Sequence, residues 1–259
     1  MQAENNFSQN IISLNPKRIV SLVPSITELL YDAGLDEEVA GITKFCVHPQ
    51  QWFRTKTRVG GTKNVHYEKV KSLSPDLIIA NKEENVKEQV NALQQLAPVW
   101  VTDINNYDDA LAMIDTCGKI TGRENNTAAI ISRIKSSFNH LNTGIKQATA
   151  LYLIWREPYM TIGGDTFIHD MLARAGFINV FGEYVRYPQV SKDMMIKMNP
   201  KYVLLSSEPF PFKEKHIQEI KQYLPKATVL LVDGEMFSWY GSRMQYAAAY
   251  FEELLSARS

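Results

Sequence analysis

Short runs of apolar, often β-branched residues recur along the chain and alternate with segments whose apolar residues follow a helical spacing. Such short runs predict buried strands. They lie at residues 18–22, 39–43, 77–80, 99–102, 149–155, 202–206 and 229–232. Helices are predicted over 85–96 and 107–121, and Ser25 with Glu28 resembles a capping box that opens a further helix ending near Gly34. This alternation predicts an α/β fold with largely parallel sheets.

The stretch 120–141 interrupts the alternation, because its apolar residues keep a helical spacing without proline or a strand pattern. A helix of about 22 residues would reach about 33 Å, the scale of a domain. We therefore predict an N-terminal α/β lobe (1–118), a single long bridging helix (119–143) and a C-terminal α/β lobe (144–259). A routine crossover helix within one sheet is the alternative.

The two halves share a local pattern around an acidic residue. Glu68 and Asp193 each lie seven residues before a proline that precedes a predicted strand. Each acid would fall in the first turn of a short helix, where the helix dipole favours a carboxylate. The pattern indicates either this ordinary preference or a pair of acidic knobs that match cationic sites on a partner.

Composition excludes several classes of protein. The 259 residues are 45% hydrophobic, and 28 basic side chains balance 28 acidic ones, so we expect neither disorder nor a nucleic-acid partner. No apolar run approaches the roughly 20 residues that cross a bilayer. Residues 1–7 lack the basic start and apolar stretch of a signal peptide, so we expect that export does not occur or that the signal has been removed.

Motifs for chemistry are sparse. Gly60 and Gly61 precede Thr62-Lys63 without phosphate-loop spacing, and neither G-x-G-x-x-G nor G-x-S-x-G occurs. Nucleotide binding and hydrolysis are therefore disfavoured, and we predict a protein that is not an enzyme and has no cofactor. Cys46 and His48 are read as packing and loop residues; a metal site or an enzyme that uses them is the alternative.

Aromatic residues gather at or after predicted strand ends, where open α/β sheets bind ligands. Phe45, Trp155, Phe237, Trp239 and Tyr240 have this position, and Tyr187 joins them from a loop. Such rings would hold a flat or bulky ligand by stacking. The nearby guanidinium groups would bind polar edges of that ligand; they belong to Arg156, Arg186 and Arg243.

Several motifs, in order, resemble the helical-backbone substrate-binding proteins of ABC importers, and most closely their cobalamin-binding branch. They are RIVSLVPSITELLYDAG (18–34), VAGIT (39–43), VGG (59–61), LSPDLIIA (73–80), TIGGDTFI (161–168), YPQVS (187–191) and NP (199–200). The similarity covers nearly all of residues 17–257. It implies two lobes bridged by one helix, with the ligand in the cleft, and a periplasmic or cell-surface location.

The resemblance also implies roles for single residues. Glu68 and Asp193 match the acids that dock onto arginines of the membrane permease. Phe45 and Tyr187 match the cobalamin branch in type, whereas that branch has tryptophan, aspartate and arginine at Thr62, Glu235 and Trp239. The predicted ligand contacts are stacking by Phe45, Trp155, Tyr187 and Trp239, and polar recognition by Arg156 and Glu235.

The predicted ligand is a metal chelate, with a corrinoid favoured over haem or a ferric siderophore. The predicted partner is an ABC permease, and we expect a monomer. A cytoplasmic corrinoid carrier of the same fold is the alternative role.

Overall fold

The computed structural model describes residues 14–141 and 148–256. The predicted absence of a signal peptide concerns residues 1–7, which lie outside the described residues. The strands are β1 (Ile19–Ser21), β2 (Val39–Ile42), β3 (Thr57–Arg58), β4 (Leu77–Asn81), β5 (Val99–Thr102), β6 (Ala148–Trp155), β7 (Met160–Thr161), β8 (Phe177–Asn179), β9 (Tyr202–Ser206) and β10 (Thr228–Val232). All seven predicted strands are confirmed.

Helices separate most of the strands. They are α1 (Pro24–Asp32), α2 (Gln50–Thr55), α3 (Tyr67–Ser72), α4 (Lys87–Leu93), α5 (Tyr107–Thr121), α6 (Glu124–Asn139), α7 (Phe167–Arg174), α8 (Lys192–Met198), α9 (Glu214–Lys221), α10 (Glu235–Ser238) and α11 (Met244–Ser256). The helix predicted over 107–121 is confirmed with those limits. The predicted α/β fold with mostly parallel sheets is also confirmed.

The chain divides into two compact units. Unit 1 takes the described residues up to Ile104 with Asp108–Lys135 and Tyr240–Gln245. Unit 2 takes Asn105–Tyr107, Ser136–Trp239 and the described residues from Tyr246. Helix α6 thus supplies residues to both units. The segment limits 1–118, 119–143 and 144–259 stay a prediction.

Each unit is built on its own sheet. The strand order in unit 1 is β3-β2-β1-β4-β5, and every pairing is parallel. In unit 2 the order is β10-β9-β6-β7, with β8 also on β6, and only β7 pairs antiparallel among the described strands. Strands β4 and β9 are buried along their whole length. Such strands are apolar because helices cover both faces of a parallel sheet.

Two details of the predicted helices are wrong. Helix α1 begins at Pro24 after the N-cap Val23, with no side-chain cap, so Ser25 lies inside the helix and forms no capping box. Proline suits the first position because its φ is already helical and it has no N–H to satisfy. The helix predicted over 120–141 begins only at Glu124, because Gly122 at φ +68° ends α5 and the Arg123 N–H returns to the Gly118 carbonyl.

The local repeat of the two halves has a structural counterpart. Helix α3 leads into β4 as α8 leads into β9, and β4 and β9 each pair in parallel with the first strand of their unit. Ser74 and Asn199 end the two helices at φ +46° and +45°, each followed by proline. Glu68 and Asp193 lie in the first turns of α3 and α8, as predicted.

A buried ion pair fixes the short segment Tyr240–Gln245 within unit 1. The Arg243 guanidinium donates two hydrogen bonds to the Glu28 carboxylate, at 2.8 and 2.7 Å. Both side chains are nearly buried, at 12% and 13% exposure. Burial raises the pKa of Glu28, and Arg243 opposes that rise. Arg243 is therefore the main support of the charged form of Glu28, with a smaller contribution from His48.

We expect Arg243→Met to lower the free energy of unfolding by about 3 to 5 kcal/mol, because it strands a buried carboxylate. The double variant Glu28→Leu/Arg243→Met should recover most of that loss. Urea unfolding measures both. As a control, Lys119→Met breaks the exposed pair with Asp115 and should cost under about 0.5 kcal/mol. Equal losses for the two single variants would contradict a special role for Glu28 and Arg243.

Candidate functional site

Trp155 ends β6 at the carboxyl edge of the unit 2 sheet. Its side chain is 40% exposed, and its ring meets the Phe210 ring edge-on with 5.8 Å between centroids. The Phe210 N–H also donates to the Ile154 carbonyl at 3.3 Å. The loop after β9 therefore supports Trp155, a contact that the sequence did not indicate.

Trp239 follows α10 and is largely buried, with 7% exposure. Its indole N–H donates to Oε1 of Glu208 at 2.9 Å, and the Ser238 hydroxyl donates to the same oxygen at 2.6 Å. Glu208 was not predicted as a functional residue. The indole N–H, which is the only polar group of the Trp239 side chain, is thus hydrogen-bonded within unit 2.

The surroundings of Glu208 are acidic. Burial raises the pKa of Glu208, and the charges of Glu235 and Asp233 raise it further, against the hydrogen bonds from Ser238 and Trp239. Glu235 begins α10, and its N–H donates to Asp233 Oδ1 at 3.0 Å. Three carboxylates, those of Glu208, Asp233 and Glu235, therefore interact at this part of the sheet edge.

A recess of about 310 Å³ opens at the same carboxyl ends of β9 and β10. Its lining is mostly apolar, with one hydroxyl and one carboxylate: Leu205, Ser207, Phe212, Leu231, Val232 and Asp233. The loop after β9 therefore borders open space in unit 2.

Arg156 contacts a different element from its neighbour Trp155. Its guanidinium pairs with Glu219 on α9 at 3.1 Å and with Glu157. The Tyr159 hydroxyl donates to the other oxygen of Glu219 at 2.6 Å. Arg156 therefore holds α9 against β6, and its predicted contact with a ligand stays a prediction.

Tyr187 lies in a loop that the Gly163-Gly164 pair supports. The two glycine N–H groups donate to the carbonyls of Arg186 and Tyr184 at 2.7 and 2.8 Å. A Cβ on Gly163 would collide with the Tyr184 backbone, and one on Gly164 with the Gly182 carbonyl. Because Gly163 and Gly164 have no Cβ, the loop can pack directly against their backbone. This packing holds the loop that carries the half-buried Tyr187.

Phe45 is the predicted aromatic contact of unit 1. It follows β2 and is 50% exposed, with the Lys44 ammonium 5.1 Å from its ring centroid. A Cβ on Gly61 would lie 3.1 Å from the edge of the ring. Gly61 therefore makes room for Phe45, which explains a glycine pair without phosphate-loop spacing.

Cys46 follows Phe45 in the loop after β2 and is fully buried. The Thr27 hydroxyl donates to its sulfur at 3.1 Å. Burial raises the pKa of the Cys46 thiol. A buried thiol that resists ionisation is a poor nucleophile and metal ligand.

Among residues 14–141 and 148–256, no three His, Cys, Asp or Glu side chains form a group that could hold a metal ion.

The acids predicted to dock a partner are accessible. Glu68 and Asp193 are both exposed, each in the first turn of a short helix that leads into a buried strand. The Ser191 hydroxyl caps α8 by accepting the Met194 N–H at 3.2 Å.

Neither α8 nor any other helix in the described part of the chain is both long and apolar enough to span a bilayer.

Parallel α/β units with exposed aromatic rings at their strand ends are typical of a protein that binds a ligand. Sequence comparison agrees. The chain is 28% identical to the uncharacterized ABC transporter substrate-binding lipoprotein YvrC of Bacillus subtilis over 201 residues, which are 73% of this chain and 63% of that protein. It is 24% identical to the vitamin B12-binding protein of Pectobacterium carotovorum over 251 residues, 94% of this chain and 90% of that protein. The chain thus spans under two thirds of the Bacillus lipoprotein.

Solved structures share the fold. The periplasmic vitamin B12 binding protein BtuF of Vibrio cholerae has a TM-score of 0.77 at 20% identity, over 94% of this chain and 98% of that chain. The periplasmic heme-binding protein RhuT from Roseiflexus sp. RS-1 has a TM-score of 0.80 at 19% identity, over 92% and 99%. Proteins with this fold therefore bind different metal chelates.

The sequence model of the periplasmic binding protein family matches residues 19–225, and the chain belongs to that family. Its members are non-enzymatic receptors of ABC transport, which bind a small-molecule ligand and pass it to a permease. The predicted class of protein is confirmed.

We expect Gly164→Ala to destabilise unit 2 by about 1 to 3 kcal/mol, because its Cβ meets the rigid Gly182 carbonyl. Thermal unfolding measures the loss. Gly61→Ala is the comparison, since its Cβ meets movable side chains, the ring of Phe45 and the stem of Lys44, and it should destabilise the protein less. A Gly164→Ala protein as stable as wild type would contradict the proposed support of the Tyr187 loop.

Proposed function

We propose that the chain captures a corrinoid, with cobalamin as the reference ligand, and delivers it to an ABC importer. The observation that carries the choice of ligand is the group of carboxylates formed by Glu208, Asp233 and Glu235. The relatives named vitamin B12-binding proteins support the same choice.

Charge complementarity distinguishes the candidate ligands. Burial is the main cause of the raised pKa of Glu208, and the carboxylates of Glu235 and Asp233, which raise it further, would also oppose a carboxylate brought by a ligand. Haem carries propionate carboxylates, whereas the rim of a corrinoid carries neutral amides whose N–H groups donate hydrogen bonds. An acidic edge beside aromatic rings therefore favours the corrinoid.

In this proposal the exposed faces of Trp155, Tyr187 and Phe45 supply apolar contact area. Glu235 accepts hydrogen bonds from ligand amides. Trp239, being largely buried, adds only the part of its ring that stays accessible, and Arg156 would have to share its guanidinium with Glu219.

We expect ligand-free protein to bind cobalamin one to one in absorbance and calorimetric titrations, and Trp155→Ala/Tyr187→Ala to weaken binding at least about tenfold through lost ring contact. Tyr246→Ala is the matched control, because it removes an aromatic ring that is 55% exposed elsewhere in unit 2. It should leave the affinity unchanged.

Haem and a ferric siderophore are titrated in parallel. Saturable binding of either, without cobalamin binding, would overturn the corrinoid assignment and leave the receptor fold. An unchanged cobalamin affinity in the double variant would overturn the aromatic contacts.

The permease would dock on Glu68 and Asp193. The two acids occupy equivalent places in the units, at the start of the helix before β4 and before β9. Both are exposed, so a partner that offers two matching cationic groups can reach them. Exposed rim charges set encounter rate and register more than ligand affinity.

We expect Glu68→Lys/Asp193→Lys to reduce cobalamin uptake by proteoliposomes that carry the cognate permease at least about tenfold. Cobalamin affinity in solution should stay within about twofold, because these acids lie outside the proposed ligand contacts. Glu88→Lys/Glu214→Lys is the matched control, since these are exposed first-turn acids of the following helices, α4 and α9. Equal loss of uptake in both double variants would contradict specific docking.

A further inference from the structure

One loop of unit 2 contacts both predicted tryptophans. It joins β9 to α9, and Phe210 in it packs on Trp155 while Glu208 accepts the indole N–H of Trp239. None of the motifs that indicate the function includes this loop. This loop therefore links the side chains of Trp155 and Trp239 within unit 2.

Glu208 is held firmly at its backbone. Its N–H donates to the Ser206 hydroxyl at 3.3 Å, and that hydroxyl donates to the Glu208 carbonyl at 2.5 Å. Gly234 faces it across the strand ends, where a Cβ would lie 2.7 Å from Cγ of Glu208. The side chain therefore passes through a gap that only glycine leaves open.

A carboxylate is an energetically unfavourable acceptor for the indole N–H at this half-buried position. Burial and the neighbouring acids Asp233 and Glu235 disfavour its charge, and a neutral acceptor would satisfy Trp239 and Ser238 with a smaller loss. What a charged acceptor adds is a shorter, stronger and more directional hydrogen bond. Such a bond restrains the plane of the indole ring.

We propose that Glu208 is a positioning residue of the ligand site: its Oε1 holds the Trp239 indole in the orientation that the ligand meets. This inference rests on the proposed corrinoid-binding function. Glu208 acts through Trp239 and through the loop that carries Phe210.

Two variants separate orientation from charge. Glu208→Gln keeps an oxygen acceptor but forms a weaker hydrogen bond without the charge, so we expect a cobalamin affinity between that of wild type and that of Glu208→Leu. Glu208→Leu removes the acceptor, and we expect affinity to fall at least tenfold. Ser238→Ala is the control, because it removes the other donor to Oε1 and leaves the indole bond, so affinity should stay within about threefold.

A readout without ligand tests the positioning itself. In protein labelled with ¹⁵N at its four tryptophans, the indole N–H resonance of Trp239 is assigned by its loss in Trp239→Phe. We expect it to move in Glu208→Leu and to follow pH in wild type, with an inflection above the ordinary glutamate range. Glu208→Gln should lose the pH dependence. The other groups that bear on Glu208 are Asp233, Glu235 and Tyr152.

The outcomes are distinct. A Trp239 resonance that is unchanged in Glu208→Leu overturns the positioning role whatever ligand binds. A shifted resonance with wild-type cobalamin affinity overturns it as well. If wild-type protein binds haem and not cobalamin, the corrinoid proposal fails, and the same variants titrated with haem decide the positioning role. If Glu208→Leu does not fold, Glu208→Gln decides the positioning role by the same Trp239 resonance and the same titration.

Discussion

The structure depends on parallel sheets whose central strands are buried on both faces. Strands β4 and β9 are buried along their whole length, so an unpaired polar group on either strand would be strongly destabilising. Polar and aromatic residues are left to the strand ends, the loops and the first turns of short helices. Every residue assigned to ligand or permease lies in one of these places.

The same architecture explains why the two acids Glu68 and Asp193 correspond. Each unit repeats a helix, a left-handed residue, a proline and a buried strand. Because the strand must enter its sheet next to the first strand of the unit, the start of the preceding helix is carried to an equivalent place. The repeated packing unit therefore accounts for the equivalent positions of the two acids.

Two half-buried glutamates show how differently a carboxylate can be accommodated. Glu28 has a bidentate guanidinium partner in Arg243 and serves to anchor a segment that the chain returns to unit 1. Glu208 accepts hydrogen bonds from the neutral donors Ser238 and Trp239, and Glu235 and Asp233 add to its negative surroundings. The first arrangement stabilises the fold. The second leaves a group of carboxylates beside aromatic rings, which is where a ligand would meet it.

The sequence by itself determined the strands, the α/β class, helix α5 and the family, because these follow from local apolar periodicity and from ordered motifs. It misplaced the start of α1, because Pro24 is already the first helical residue, and the start of α6, because Gly122 interrupts the helical pattern. It missed Glu208 and Phe210, and it did not indicate that Arg156 pairs with Glu219 or that Trp239 is buried. Those contacts join residues that are 31 to 63 positions apart or depend on packing. Only the tertiary structure, which brings the carboxyl ends of parallel strands to one edge, decided which side chains meet there.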